Sequence, residues 1–381
     1  MLPPIDKLPG VGTTIFSIMS QLAVETGAVN LSQGFPDMPL DQRLIALVGS
    51  ALQEGHNQYA PMPGLPALRE AIAQKVLRSQ RVIVDPMTEI TVTAGATQAI
   101  FTAIAALVAA GDEVIIIDPA YDCYAPAVAL FGGKAVHVSL GADMRFDLDA
   151  VNGAIGPRTR MLIINSPHNP GGGILRRSDL QALEKMLHGT DVVLLSDEVY
   201  EHIVFDGNEH VSVLEIEGLR ERSVAVFSFG KVFHATGWKI GHLIAPPYLM
   251  KPIRKVHQYN VFSVNTPMQH ALATYMQDPA VYEPIAGLFQ QKRDRFLEGI
   301  KASRFDPLPC EGTYFLLLEY SRISEQKDVE FAEILTREHG VATIPLSPFH
   351  RDPPPDRHII RCCFAKQDST LDLALERLCA I

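Results

Sequence analysis

The middle of the chain, between about Glu89 and Ala245, alternates short apolar runs with segments long enough to form helices. Runs that are apolar throughout are typical of strands buried on both faces, and parallel strands need a crossover connection, usually a helix, between them. The segments TQAIFTAIAALVAAG and RRSDLQALEKMLHG supply such crossovers. We therefore predict an α/β fold with a mostly parallel central sheet covered by helices. The predicted strands are EITVTA, EVIIID, KAVHVS, RMLIIN, DVVLLS and SVAVFSF.

Polar residues follow these strands and identify a candidate site, because ligands of open α/β sheets bind beyond the carboxyl ends of the strands. Asp197 closes an apolar strand. A buried carboxylate requires a cationic partner, although Asp197 is equally well explained as a helix cap. A helix opens directly after the strand EITVTA, and its first residues form either a phosphate site or a simple turn. The strand-end residues besides Asp197 are Gly95, Ala96, Thr97, Asp118, Pro119, Asn165 and Ser228.

Lys231 follows the strand SVAVFSF and so lies near the same edge of the sheet as Asp197. Considered alone, a lysine is usually a solvated surface charge. In a desolvated site, however, a lysine loses proton affinity and becomes a nucleophile for aldehydes. An amine, a carboxylate and a phosphate cradle are the groups that pyridoxal phosphate requires for its Schiff base, its pyridine nitrogen and its anchor. Ser228 and Lys239 would add a hydroxyl group and a positive charge to the phosphate site.

The motifs NSPHNPGGG, SDEVYEHIVFDG and SFGKVFHATGWKIGH occur in this order between residues 165 and 242. In these motifs the chain resembles the pyridoxal-phosphate aminotransferases of fold type I, class I/II, and the resemblance extends from LSQGFPDMP to HIIRCCFA. The segments VNLSQGFPDMP and CEGTYFLLLEY are most similar to the methionine and kynurenine (glutamine–phenylpyruvate) aminotransferase branch. The resemblance implies a large cofactor domain at residues 41–270. It also implies a smaller α+β domain formed by residues 1–40 and 271–381.

The resemblance further implies a role for each residue around the cofactor. Lys231 would hold the cofactor covalently and move a proton between the substrate α-carbon and the cofactor, and Asp197 would pair with the pyridine nitrogen. Asn169 and Tyr200 would hydrogen-bond the phenolic oxygen, and Tyr121 would stack on the ring. The phosphate group would be held by Gly95, Ala96, Thr97, Ser228 and Lys239, and by Tyr59 from the other subunit of a homodimer.

Arg361 would bind the substrate α-carboxylate through two parallel hydrogen bonds. No second arginine occupies a motif position suited to a side-chain carboxylate. We therefore predict amino-group transfer from methionine or an aromatic or other apolar amino acid to a 2-oxo acid by a ping-pong mechanism. The other residues implied in substrate binding are the backbone of Gly34 and either Asn165 or Asn169 at the carboxylate, and Phe16, Tyr59 and Phe262 at the side chain.

Two other kinds of function remain open at this point. A pyridoxal-phosphate carbon–sulfur β-lyase, or a dual kynurenine aminotransferase and cysteine-conjugate β-lyase, would use the same site. Product analysis separates the reactions, because a lyase releases pyruvate and ammonia without a second oxo acid. A cofactor-binding regulatory module is the non-enzyme alternative. It is disfavoured because no basic segment suited to nucleic acid accompanies the aminotransferase-like region.

Charge and composition limit the partners and the location. The net charge of −10 leaves no basic stripe for nucleic acid, and the apolar run at residues 99–110 is too short to span a membrane. The first residues lack a secretory signal pattern, and the five scattered cysteines form no disulfide framework or zinc spacing. We therefore expect a cytoplasmic protein. His168 and His234 have no third donor at ligand spacing, so we expect local hydrogen bonds and no metal site.

Overall fold

The computed structural model describes residues 5–141, 143–354 and 357–381. The strands are β1 Val29–Asn30, β2 Ile90–Thr93, β3 Glu113–Asp118, β4 Lys134–Ser139, β5 Thr159–Asn165, β6 Val193–Asp197, β7 Ser223–Ser228, β8 Gly241–Ile244, β9 Asp306–Pro307, β10 Phe315–Glu319, β11 Val341–Ala342, β12 Ile344–Pro345 and β13 Ile359–Cys363. The helices are α1 Ile15–Thr26, α2 Gln42–Gln53, α3 Pro66–Gln80, α4 Ala96–Leu107, α5 Tyr124–Leu130, α6 Leu148–Ala154, α7 Arg177–Leu187, α8 Glu217–Arg220, α9 Phe229–Val232, α10 Pro247–Asn260, α11 Thr266–Tyr275, α12 Ile285–Ile300, α13 Asp328–Arg337 and α14 Asp368–Cys379. Short 3-10 turns lie at Val213–Glu215, Thr236–Trp238, Pro279–Val281 and Ser347–Phe349.

A seven-stranded sheet with the order β2-β8-β7-β6-β5-β3-β4 forms the centre of the molecule. All neighbouring pairs are parallel except those of β8, which runs antiparallel to both β2 and β7. The predicted α/β fold with a mostly parallel sheet is confirmed, and each predicted run overlaps a strand of this sheet. The carboxyl ends of β2, β5, β6 and β7 therefore meet at one edge of the sheet.

Strand β8 was not predicted from the sequence. Its four residues, GHLI, include a glycine and a histidine and give too short an apolar signal. The sequence also predicts one long helix over about residues 278–303, and the helix observed there, α12, is shorter. It begins at Ile285 after a 3-10 turn at Pro279–Val281, because Pro279 and Pro284 lack the N–H groups that a continuous helix would use.

The central sheet is buried on both faces because successive side chains of a strand point to opposite sides. In β5, Met161 and Ile163 join the apolar cluster under α4, α5 and α10. Leu162 and Ile164 join the cluster on the other face, which includes the apolar side of α7. This double burial explains why the strands read as continuous apolar runs.

The remaining strands form a four-stranded antiparallel sheet with the order β12-β13-β10-β9, and a parallel pair of β1 with β11. Helix α1 packs against α13, β11 and β12 through Met19 and Leu22. The N-terminal segment thus lies on the C-terminal part of the chain. The predicted domain boundaries at residues 40/41 and 270/271 stay a prediction. Within the described residues, none of the helices combines the length and apolarity needed to cross a membrane.

Candidate active site

A cleft of about 360 Å³ opens at the edge of the central sheet where the parallel strands end. The residues that the family resemblance implies for the site line this cleft, except Tyr59 and Phe262. Of the strand-end residues, Asp118 and Pro119 do not line it, and the carboxylate of Asp118 instead bonds His137 and the N–H of Arg351. The predicted residues that line it are Phe16, Gly34, Gly95, Ala96, Thr97, Tyr121, Asn165, Asn169, Asp197, Tyr200, Ser228, Lys231, Lys239 and Arg361.

The carboxylate of Asp197 ends strand β6 and is buried in the floor of the cleft. The hydroxyl group of Tyr124 donates a hydrogen bond to Oδ2 of Asp197 at 2.7 Å, and the N–H of Val199 donates to Oδ1 at 3.3 Å. Burial raises the pKa of Asp197 to about 6, and these hydrogen bonds oppose that rise. No helix begins after Asp197, so this carboxylate is not a helix cap; it bonds within a turn and is suited to a cationic ring nitrogen.

The amine of Lys231 lies in the same cleft, on the short helix α9 that follows β7. Its Nζ donates a hydrogen bond to the carbonyl oxygen of Gly34 at 3.2 Å and lies 5.8 Å from the centre of the Tyr200 ring. Removal from bulk water lowers the pKa of Lys231 to about 8. A substantial fraction of this amine is therefore neutral and nucleophilic near pH 8.

The N-terminus of α4 forms a cradle suited to a phosphate group. Gly95 precedes this helix with a φ of 80° and provides no side-chain cap, so the first-turn N–H groups remain directed at the cleft. A Cβ atom on Gly95 would lie 3.5 Å from Nζ of Lys239. The backbone at Gly95 and the ammonium group of Lys239 are thus close enough to contact the same anion.

Arg361 projects from β13 and is almost completely buried. Its Nη1 donates to Oδ1 of Asn169 at 2.7 Å, and its Nη2 donates to the carbonyl oxygen of Ser32 at 3.1 Å. Its Nε is buried and has no hydrogen-bond partner among the described residues. Because buried polar groups are normally satisfied, this guanidinium is incomplete without a ligand that accepts a further hydrogen bond.

Aromatic rings surround the same guanidinium. Its central carbon lies 3.8 Å from the centre of the Phe315 ring and 5.2 Å from those of Phe16 and Phe349. Phe16 and Phe315 also line the cleft. The surroundings of the cationic group are therefore apolar.

Asn165 holds the loop that carries Asn169. The side-chain amide of Asn165 donates to the carbonyl oxygen of Asp197 at 2.8 Å, and its Oδ1 accepts from the N–H of Asn169 at 2.7 Å. Both polar ends of Asn165 therefore bind main-chain groups, which connect the ends of β5 and β6. Tyr121 and Tyr200 lie at the cleft, and burial raises the pKa of both phenols above the usual range.

Tyr59 and Phe262 lie away from the cleft in this chain. Their rings contact each other edge to face with centroids 5.5 Å apart, and Tyr59 is 82% exposed. A site assembled from one chain therefore does not include them.

Sequence reasoning missed several residues of the site. Tyr124 was overlooked because an aromatic residue at the start of a helix is typical of a core position, although it lies only three residues after Tyr121. Tyr314 and Phe315 belong to the segment GTYFLLLEY, whose apolar pattern predicts only a strand. The other missed residues at the cleft are Thr14, Gln33, Ile100, Asp122, Val199, Gly230, Thr236 and Ile240.

The two histidines near the motifs differ in their contacts. His168 accepts a hydrogen bond from the N–H of Gly171 at 3.2 Å, as expected of a locally bonded residue. The Nε2 of His234 has no partner within the described residues, and its ring packs on Phe289. Over the described part of the chain, no three or more His, Cys, Asp or Glu side chains are grouped so as to hold a metal ion.

A strand-end carboxylate, an amine of lowered pKa and a helix N-terminus at one edge of a mostly parallel sheet define a pyridoxal-phosphate-dependent enzyme. A family model described as aminotransferase class I and II matches residues 26–378, and the chain belongs to this family. The family depends on pyridoxal phosphate and transfers amino groups. The class of enzyme and the cofactor predicted from the sequence are therefore confirmed.

Individual relatives match along nearly the whole chain. The protein is 51% identical over 379 residues to the methionine aminotransferase of Escherichia coli (strain K12), covering 99% of this chain and 98% of the relative. It is 33% identical over 407 residues to kynurenine–oxoglutarate transaminase 1 of Homo sapiens, covering 98% and 96%. A crystal structure of an Escherichia coli protein, whose reactivity identifies a methionine aminotransferase function, superposes with a TM-score of 0.98 at 50% identity over 100% of both chains.

The residues of the cleft fit pyridoxal phosphate. The uncapped start of α4 beside Lys239 suits the phosphate group, and Asp197 suits the pyridine nitrogen. The unpartnered Nε of Arg361 suits the carboxylate of an amino acid bound next to the cofactor. The phosphate group, the ring nitrogen and the substrate carboxylate thus each have a group of opposite charge in the cleft.

Borohydride reduction of the cofactor-loaded protein is expected to fix the cofactor to Lys231, because this amine has the lowered pKa of a nucleophile. Peptide mass spectrometry locates the added mass. Lys231→Met is expected to lose the label and to lower turnover by about 10²–10⁴-fold. Lys239→Met, the matched control, should keep the label on Lys231. A label on Lys239 would contradict this assignment.

Affinity for pyridoxal phosphate is expected to fall as the pH drops below about 6, because the pKa of Asp197 has that value and its protonation removes the negative charge facing the ring nitrogen. In Tyr124→Phe, the loss of a hydrogen bond that lowers this pKa should make the decline begin at higher pH. The dissociation constant for pyridoxal phosphate is measured for the unmodified protein and for Tyr124→Phe across this pH range. Protonation of the cofactor itself affects both proteins equally, so it does not contribute to the difference. The exposed control Tyr248→Phe should follow the unmodified protein. A decline that begins at the same pH in Tyr124→Phe would exclude this role.

Proposed function

We propose that the protein transfers the amino group of methionine or of an aromatic amino acid to a 2-oxo acid by a ping-pong mechanism. The observation that carries this proposal is the environment of Arg361, a buried guanidinium with an unpartnered Nε among aromatic rings. Such a group suits the α-carboxylate of a substrate whose side chain is apolar. The similarity to the Escherichia coli methionine aminotransferase supports the same substrate class.

Two residues of the cleft would act at the reacting atoms. When bound, pyridoxal phosphate supplies a ring that withdraws electrons from the substrate α-carbon. Lys231 would hold the cofactor and then, once released from it, carry the proton between the α-carbon and the cofactor. Asp197 would keep the ring nitrogen protonated, and its burial beside Tyr124 strengthens this interaction by excluding water.

The substrate would be oriented by the groups around its carboxylate. Arg361 would bind the carboxylate, and Asn169, already bonded to Arg361, would help to hold the cofactor through its phenolic oxygen. The 2-oxo acid carries the same carboxylate in the same relation to its reacting carbon. One site would therefore serve both halves of the cycle in turn.

The lining of the cleft sets the expected side-chain preference. Arg361 is the only arginine among its described lining residues, and the lysines at 231 and 239 are assigned to the cofactor. A side-chain carboxylate bound there would be buried without a partner, which costs several kcal/mol. Phe16 and Phe315 instead favour thioether or aromatic side chains.

Methionine, phenylalanine and kynurenine are expected to convert the cofactor to its amine form at least about a hundredfold faster than aspartate. The measurement is the second-order rate constant of the single-turnover half-reaction with each donor at matched concentration, followed by absorbance. An equal rate constant for aspartate would refute the proposed substrate class. Phe16→Ala should lower the rate with phenylalanine more than with alanine, which does not reach the ring.

We further propose a cytoplasmic homodimer with shared active sites. Tyr59 and Phe262 form an exposed aromatic pair outside the cleft, so they could complete a site only from a second chain. All five cysteines are free, which agrees with a reducing compartment.

Mixed dimers provide the test of sharing. Chains carrying Tyr59→Ala and chains carrying Lys231→Ala are expected to regain about a quarter of full activity after subunit exchange, because half of the dimers then hold one intact site. Activity is measured against the mean of the two separate variants, and exchange is verified with differently tagged chains. Activity that stays at that mean after verified exchange would contradict a shared site.

A further inference from the structure

The ammonium group of Lys366 is buried without a carboxylate beside it. Lys366 is 2% exposed, and the ion pairs of the described residues do not include it. Its Nζ donates to the carbonyl oxygen of Phe35 at 2.9 Å and to that of Gln33 at 3.4 Å, and it lies 4.8 Å from the centre of the Phe35 ring. A buried charge is costly unless it is well bonded. These neutral contacts are therefore the main compensation for it.

Lys366 thus binds the residues on both sides of Gly34. Residues 32–35 are called here the 32–35 segment. The neighbouring carbonyl groups also accept hydrogen bonds from cations: Ser32 from Arg361 at 3.1 Å and Gly34 from Lys231 at 3.2 Å. When Lys231 holds the cofactor, Gly34 loses this ammonium donor. Lys366 then remains as the lysine that fixes the segment.

The surroundings of Gly34 leave no space for a side chain. A Cβ atom at this position would lie 2.8 Å from the ring of Phe315, which itself stacks on Arg361. The hydroxyl group of Tyr314 donates to the carbonyl oxygen of Gly34 at 2.8 Å. The N–H of Gly34 has no acceptor among the described residues, although Gly34 lines the cleft. An unpartnered backbone donor thus lies in the lining of the same cleft as Arg361.

We propose that Lys366 is a positioning residue of the carboxylate site. It holds the 32–35 segment through Gln33 and Phe35 so that the N–H of Gly34 becomes a second donor to the carboxylate that Arg361 binds. Arg361 lies on strand β13, and Lys366 lies in the bend directly after this strand. One short stretch of chain therefore supplies both the arginine that binds the carboxylate and the lysine that positions Gly34. This inference rests on the proposed function, because that function assigns the carboxylate to Arg361.

The test measures binding of 3-phenylpropionate, a carboxylate without an amino group, to the cofactor-loaded protein by calorimetry. Lys366→Met keeps an unbranched side chain but removes the donor, and it is expected to weaken binding about tenfold or more. The KM for methionine should rise by the same factor, while the affinity for pyridoxal phosphate stays unchanged. Lys366→Gln, which keeps a neutral donor, should weaken binding less.

Lys292→Met is the matched control. The Nζ of Lys292 donates to Asp368 at 2.6 Å, close to Lys366 in the chain, and Lys292 does not line the cleft. This variant should bind 3-phenylpropionate as the unmodified protein does. A Lys366→Met protein that melts at lower temperature but binds the carboxylate normally would show a merely structural role and overturn the proposal. Parallel losses in both variants would overturn it as well.

The remaining outcomes keep the two proposals separate. If Lys366→Met does not fold, Lys366→Leu, which also lacks the donor, decides, and carboxylate binding equal to that of the unmodified protein would refute the inference. If aspartate reacts as fast as methionine, the proposed substrate class fails. The role of Lys366 would stand in that case, because every amino acid carries the same α-carboxylate.

Discussion

The buried guanidinium of Arg361 is the interaction on which the arrangement of the site depends. It belongs to the four-stranded sheet, but its hydrogen bonds reach Asn169 beyond strand β5 and Ser32 in the N-terminal segment. Burial of a charge is tolerated only with close hydrogen bonding and packing. The stacking of Arg361 on Phe315 and its bonds to neutral oxygens therefore hold three distant parts of the chain together, and the described residues form no ion pair that would cancel its charge.

The same principle governs the other buried charged groups in and beside the cleft. Lys231 and Lys366 bond to carbonyl oxygens of the 32–35 segment, while Asp197 is satisfied by a phenol and a backbone N–H. Neutral partners stabilise these charges without neutralising them. The cations thus keep their attraction for a carboxylate or a phosphate, and the carboxylate keeps its attraction for a protonated ring. The polarity of the cleft matches that of a cofactor with an amino acid beside it.

Much of this site was predictable because it depends on strand ends. Apolar runs locate β5, β6 and β7, and the residues that follow them, Asn165, Asp197 and Ser228, all line the cleft. Strand β8 was missed because four residues with a glycine and a histidine carry little apolar signal. Tyr124 and Phe315 were missed for another reason. Their roles arise from contacts between segments that are far apart in sequence, and a local pattern shows each only as a core residue.

The substrate side chain is harder to predict than the chemistry, since its pocket is not formed by strand ends. Phe315 illustrates the difficulty: its ring stacks on Arg361 at 3.8 Å and also leaves no space for a side chain at Gly34. One ring therefore forms part of the apolar wall and also packs against both Arg361 and Gly34, the two proposed carboxylate donors. A substrate side chain that displaces this ring would alter the grip on its own carboxylate. In the proposed function, side-chain preference and carboxylate binding would for this reason be coupled, and neither can be deduced from a single motif.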